Sequence, residues 1–135
     1  MDRITPKQRS RLMASVHSYD TGPEVLVRSA LHRRGLRFRK HLKAVPGRPD
    51  IAFPTERVAV FIDGDFWHGY RFPTWRHKLA PYWQAKIERN RARDRRNFAC
   101  LRRQGWRVIR VWEHEIKYGL EQVANLIEHA VITRR

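Results

Sequence analysis

Residues 47–69 read GRPDIAFPTERVAVFIDGDFWHG. Two apolar runs, DIAF and RVAVFI, are separated by PTE, whose proline marks a turn. The pattern predicts two short strands folded back on each other. The VAVFI run has no polar alternation, as expected of a strand buried on both faces. Asp50 opens the first strand and Asp63 closes the second. Antiparallel neighbours joined by a short turn place the start of one beside the end of the other. The two carboxylates are therefore expected at one edge of the sheet. Close carboxylates repel unless a proton or cation lies between them, and a hard divalent ion is a natural filler. Each acid also has a plainer reading: Asp50 as a turn acid after Pro49, Asp63-Gly64 as a turn dipeptide.

Upstream, TGPE reads as a capping box with Thr21 as N-cap and Glu24 three residues on. A helix carrying Leu26, Val27, Ala30 and Leu31 follows and ends at Gly35. LRFRKHL alternates, with Leu36, Phe38 and Leu42 on one side and Arg37, Arg39 and His41 on the other, which predicts a strand with a basic face. Residues 1–20 are basic, with a helix expected from Thr5 and Pro6 on which Leu12, Met13 and Val16 share a face. Downstream, residues 69–80 read as a loop. A long helix fits from Leu79 to Gln104, with Trp83, Ile87, Phe98 and Leu101 in register, and Gly105 stops it. WRVIRVW is a further strand, and a last helix runs from Leu120 to Ile132. The order predicts an α/β fold, a mixed sheet flanked by helices. The expected division is a basic N-terminal segment, 1–20, and one domain, 21–135.

The 135 residues favour one core, and 41% hydrophobic content supports folding. Twenty-nine lysines and arginines against 13 acids give a net charge of +16, which points to a polyanionic partner: nucleic acid, or an anionic membrane surface. Cys100 is the single cysteine, which excludes an internal disulfide and a zinc site built on several thiolates, and fits a reducing compartment. No apolar segment is of signal-peptide or membrane-spanning length, so no membrane association is expected and a cytoplasmic location is.

Three features carry chemistry. His68, five residues past Asp63, can take a proton from an attacking water; a packed histidine is the plainer reading. Phe66 and Trp67 directly follow the acids, with Trp75, Tyr82 and Trp83 close behind. Such side chains either fill a core, the safer reading for Trp83, or wedge between base pairs. The helix KIERNRARDRRNFACLRRQG, with Lys86, Arg89 and Arg93, is either a solvated face or a surface that tracks phosphates.

Taken in order, RSRLMASV, DTGPE, PGRPD, VFIDGDFWHG, YWQAKIERNRARDRR and GWRVIRVWEHE resemble the very short patch repair (Vsr) DNA mismatch endonucleases, a branch of the PD-(D/E)XK nuclease superfamily. The resemblance implies a magnesium-dependent bacterial enzyme, with one or two ions, that nicks one strand of duplex DNA 5′ of the thymine in a T:G mismatch. It implies Asp50 as central metal ligand, the Ile62 backbone carbonyl as a second, His68 acting on the water nucleophile and Glu24 supporting the site through metal-bound water. Phe66, Trp67 and Trp83 match intercalating aromatics, and Arg11 and Met13 a segment against DNA. Many members hold a structural zinc through cysteines and histidine. Here Asp65 and Tyr70 stand at expected cysteine positions and His114 near another ligand, so no zinc is expected, and Asp65 pairing with His114 or an arginine is the expected replacement. Asp63 stands where some members carry histidine, and an acid there can bind metal directly. Mismatch-repair proteins or a DNA methyltransferase system are possible partners, and a monomer suffices for cutting one strand. Two other functions fit the same residues: a nickase of a restriction or anti-phage system with another DNA target, and a non-catalytic basic DNA-binding domain.

Overall fold

The computed structural model describes residues 21–135. Helix α1 (Gly22–Arg33) leads to three strands, β1 (Arg39–Lys40), β2 (Ile51–Phe53) and β3 (Val58–Asp63). A short helix α2 (Phe72–Trp75) and a 3₁₀ turn (Arg76–Lys78) precede the long helix α3 (Pro81–Arg103), strand β4 (Arg107–Trp112) and helix α4 (Glu113–Ile132). The sheet order is β1-β2-β3-β4. The first three strands are antiparallel and β4 runs parallel to β3. This follows from the connections: short turns permit only antiparallel pairing, whereas α3 supplies the crossover a parallel pair needs.

Strand parity divides the core. Val58, Val60 and Ile62 of β3 and Ile109 and Val111 of β4 pack with Val27 and Leu31 of α1 and Ile127 and Val131 of α4. The alternate residues, Ala59 and Phe61 of β3 and Val108 of β4, pack on Phe98 and Leu101 of α3. All six residues of β3 are buried, as the unbroken apolar run requires. The same parity sends Asp63 and Arg110 to the α3 side, where they meet.

The structure corrects three boundaries. The expected strand over Leu36–Leu42 contracts to Arg39–Lys40, because His41 takes a left-handed conformation (φ 48°) that breaks the alternation. The last helix starts at Glu113 rather than Leu120, with Glu115 accepting a 2.9 Å hydrogen bond from the Trp112 amide at its start and a kink at Gly119. The loop over 69–80 contains the two short helical turns. Arg11 and Met13 lie outside the described residues.

Candidate active site

Five segments converge on one cleft of about 830 Å³. The start of α1 supplies Glu24, the start of β2 Asp50, and the end of β3 Ile62 and Asp63; the following loop supplies His68, and α3 supplies Asp94.

Asp50 is held by the backbone on both sides. Its Oδ2 accepts a 2.7 Å hydrogen bond from the Ile62 amide, and its carbonyl accepts one from the His41 amide at 3.1 Å. In an extended strand a residue's N–H and C=O point to the same side, so the Ile62 carbonyl points to the β2 side of β3, as its amide does. Glu24 lies on the inward stripe of α1 with Val27 and Leu31. Its amide donates to Thr21 Oγ1 at 3.4 Å, which is the N-cap half of the expected box. Its carboxylate faces His41 Nε2 at 3.0 Å and accepts from Arg28 at 3.3 Å. Ligand atoms of Glu24, His41 and Asp50 lie within 4.8 Å of one another. Burial, opposed by the Ile62 hydrogen bond and reinforced by the charges of Glu24 and Asp63, pushes the Asp50 carboxyl up to about 8.

Asp63, His68 and Asp94 form a second group. His68 Nδ1 lies 2.7 Å from Asp94 Oδ2, and Nε2 lies 3.4 Å from Asp63 Oδ1. Arg110 donates from Nε to Asp63 at 2.8 Å and from Nη2 to Asp94 at 2.7 Å. Burial pushes Asp63 up, with the charges of His68 and Arg110 opposing it. At Asp94 burial also pushes upward, but the hydrogen bond from His68 and the charges of His68, Arg110 and Arg93 outweigh it and hold the carboxyl below its usual range. An ionised Asp94 only accepts, so His68 Nδ1 is the donor and a neutral ring leaves Nε2 as its base.

Aromatic rings border the acids. Phe66 stacks on Trp75 at 5.6 Å, Trp67 meets Phe66 and Trp83 edge-on, and Lys86 Nζ sits 5.2 Å from the Trp67 ring centre. Phe66 and Trp67 line the cleft, while Phe66 and Trp83 also pack partly buried against Phe72, Leu79 and Ile87. Asn90 anchors the loop by donating to the Trp67 carbonyl at 2.9 Å. Arg89 and Arg93 are exposed on α3, with Arg93 at the cleft.

The Vsr DNA mismatch endonuclease family matches residues 1–73, more than half of the chain. The type II nicking enzyme V.XorIIP of Xanthomonas oryzae pv. oryzae is 49% identical over 117 residues, covering 85% of this chain and 86% of that protein. The chain belongs to the Vsr DNA mismatch endonuclease family. It is similar to the type II nicking enzyme V.NmeDIP of Neisseria meningitidis, 39% identical over 97% of this chain and 90% of that one. The DNA mismatch endonuclease Vsr of Escherichia coli is 37% identical over 87% of this chain and 76% of that one. The fold is also that of the catalytic domain of homing endonuclease I-Bth0305I, with a TM-score of 0.59, 17% identity, and 85% of this chain and 98% of that one covered. The protein is thus a strand-nicking DNA endonuclease, and DNA is its substrate. No helix among the described residues is long and apolar enough to cross a membrane.

At the positions where Vsr relatives were expected to carry zinc ligands, Asp65 Oδ1 and His114 Nδ1 lie 2.9 Å apart, with the Tyr70 ring 4.4 Å from the imidazole. The Asp65 amide also donates to Glu113 at 2.8 Å, so the loop is tied to the start of α4.

Sequence reasoning missed three residues of this Vsr site. Asp94 was hidden in a run of arginines, yet it sits seven residues after Ile87 and four before Phe98, in the apolar stripe of α3. An acid in that stripe is a signal. Arg110 is the one charge inside VIRVW, on the α3 parity of β4. His41 left no signal, because alternation put it on the solvent side until its left-handed turn redirected it.

Proposed function

We propose that this Vsr family member nicks one strand of duplex DNA 5′ of the thymine of a T:G mismatch, in a magnesium-dependent reaction. The observation that carries this reading is a single cleft in which Asp50, Glu24, His68 and Asp94 stand beside Phe66 and Trp67. The donor set suits a hard divalent cation: two carboxylates with a backbone carbonyl aimed the same way, and an Asp50 carboxyl that burial and neighbouring acids hold uncharged unless a cation compensates it. Asp50, the Ile62 carbonyl and Glu24 would hold the ion, with His41 beside them. Such an ion activates water and stabilises the leaving oxygen of a phosphodiester.

The chain's own residues do the rest. Asp94 fixes the His68 ring, and Nε2 accepts the proton of the attacking water. Asp63 and Asp94 then both face the imidazolium that forms. Phe66 and Trp67, with Trp83 behind, wedge beside the mismatch, and unstacking is cheapest at a mismatched pair. Lys86, Arg89 and Arg93 track the backbone phosphates.

A second reading keeps the chemistry and changes the target. V.XorIIP and V.NmeDIP are named type II nicking enzymes, which favours a nickase that serves a restriction–modification system. Strand-labelled duplexes, matched or with one T:G mismatch, separate the two when incubated with magnesium and an Asp50→Ala control. A nick confined to the mismatched thymine strand supports the first reading. Equal nicking of both duplexes supports the second. No nicking of either removes the mismatch reading.

A further inference from the structure

The described residues hold two groups that by residue type look equally suited to a cation: Glu24, His41 and Asp50, and Asp63, His68 and Asp94. In the second group every carboxylate oxygen already faces a cationic or imidazole nitrogen. Asp63 Oδ2 and Asp94 Oδ2 take the two arms of Arg110 at 2.8 and 2.7 Å. Asp63 Oδ1 faces His68 Nε2 at 3.4 Å, and Asp94 Oδ1 faces Arg93 at 3.5 Å.

The guanidinium also lies over two rings, 4.3 Å from the Trp112 ring centre and 5.1 Å from that of Phe98. A planar fork spans two carboxylates and stacks on rings in a way a point charge does not. Asp63, His68 and Asp94 line the cleft, whereas Arg110 is outside its lining. Its place behind the acids suits it to set their positions rather than to touch DNA.

We propose that Arg110 is a positioning residue that acts as the fixed cation of the Asp63–His68–Asp94 cluster: it keeps a divalent ion out of that cluster and holds Asp94 against His68 Nδ1, so that Nε2 stays available as the base. The proposal rests on the roles given above to His68 and to the Asp50 pocket. Two carboxylates buried this deeply need a countercharge; the chain supplies it covalently, and a second ion would meet both like-charge repulsion and, at Asp63 Oδ2 and both Asp94 oxygens, a partner already in place.

The test compares the native protein with Arg110→Met and Arg110→Lys, without DNA. Mn²⁺ binding is counted by electron paramagnetic resonance titration, and the His68 tautomer is read by ¹⁵N NMR at a pH where the ring is neutral. The native protein should bind one Mn²⁺, lost in Asp50→Asn, and show His68 protonated on Nδ1 alone. Arg110→Met should bind a second Mn²⁺, lost again when Asp63→Asn is added, and show a mixture of tautomers. Its nicking rate at saturating DNA should fall roughly 10–100-fold with KM unchanged. Arg110→Lys should still exclude the second ion but lose the single tautomer. Arg110→Met with one Mn²⁺ and an unchanged tautomer overturns the proposal, as does native Mn²⁺ that departs on Asp63→Asn alone. If Arg110→Met does not fold, the tautomer in Arg110→Lys decides. Native protein that binds no Mn²⁺ and nicks nothing overturns the function proposed above, and the His68 tautomer in the variants still decides on Arg110.

Discussion

The Ile62 amide donates to Asp50 Oδ2 at 2.7 Å, and this one hydrogen bond ties the end of β3 to the start of β2. It favours the carboxylate, but burial outweighs it and the Asp50 carboxyl rises to about 8. A group whose folded pKa lies above its unfolded value, about 3.9 for aspartate, adds stability below the unfolded value and loses it as pH rises through the folded one.

Cation-free protein should therefore lose thermal stability between pH 4 and 8. Asp63 is pushed the same way, so the Asp50 share is the difference between native and Asp50→Asn. Magnesium should raise the melting temperature at pH 8 and barely change it at pH 5, where a proton already occupies the site. Thermal melts over that range check this. A magnesium shift that is equal at both pH values, or that persists in Asp50→Asn, would place the ion elsewhere.

Asp94→Asn should lower the nicking rate roughly 10²–10⁴-fold, the range supplied by a positioned proton acceptor. The amide is close in size to the carboxylate but no longer compels Nδ1 of His68 to be the donor, so Nε2 loses its assigned role. DNA affinity should change little. Single-turnover nicking and a binding titration separate the two, and loss of binding with an unaltered rate would contradict the assignment.

Zinc should be absent from purified protein, as metal analysis would show. A structural zinc takes four ligands, while the Asp65–His114 cluster offers one carboxylate, one imidazole and a phenol. The pair is about one-third exposed on both sides, so Asp65→Ala should cost no more than about 1 kcal/mol of global stability. Near-stoichiometric zinc, or a large loss of stability with zinc bound, would refute this reading.

How much of this was legible in sequence follows from periodicity. Strand β3, its edge acids and the α3 crossover were readable because an unbroken apolar run and a 3.6-residue stripe each have one structural solution. The Asp65–His114 contact was readable as one of two options because both residues stand at recognisable motif positions. Asp94 was not picked out, since composition around it says solvent and only its register says core. His41 lay beyond reach: a single left-handed residue at φ 48° reverses what alternation predicts.

Gly69→Ala should damage the site without touching a functional side chain. Gly69 has φ 71°, and an added Cβ would lie 2.8 Å from both Ile87 Cγ2 and Arg91 Cδ and 3.1 Å from the Phe72 Cβ. Arg91 can swing aside, but Ile87 is fixed in the core. The strain and the clash together should cost about 1–3 kcal/mol and push the loop carrying Trp67 and His68 away from α3. Denaturant unfolding and nicking should decline together. A fully stable, fully active variant would mean the loop is not seated on α3 through Gly69.

Phosphate tracking and wedging leave different signatures in binding. Arg93 is exposed at the mouth of the cleft, whereas Trp67 lines the cleft beside the acids. If Arg93 meets a phosphate, Arg93→Ala weakens matched and T:G duplexes alike. It should also flatten the slope of log affinity against log salt by about 0.9, since one fewer counterion is released. Trp67→Ala should leave that slope unchanged, because a ring neutralises no phosphate, and should narrow the preference for the mismatched duplex. The Lys86 ammonium over the Trp67 ring complicates the second variant, so Lys86→Met is the matching control. It should shift the slope and keep the preference. If Trp67→Ala shifts the slope while discrimination survives, the wedge belongs to another ring, with Phe66 next in line on the same cleft wall.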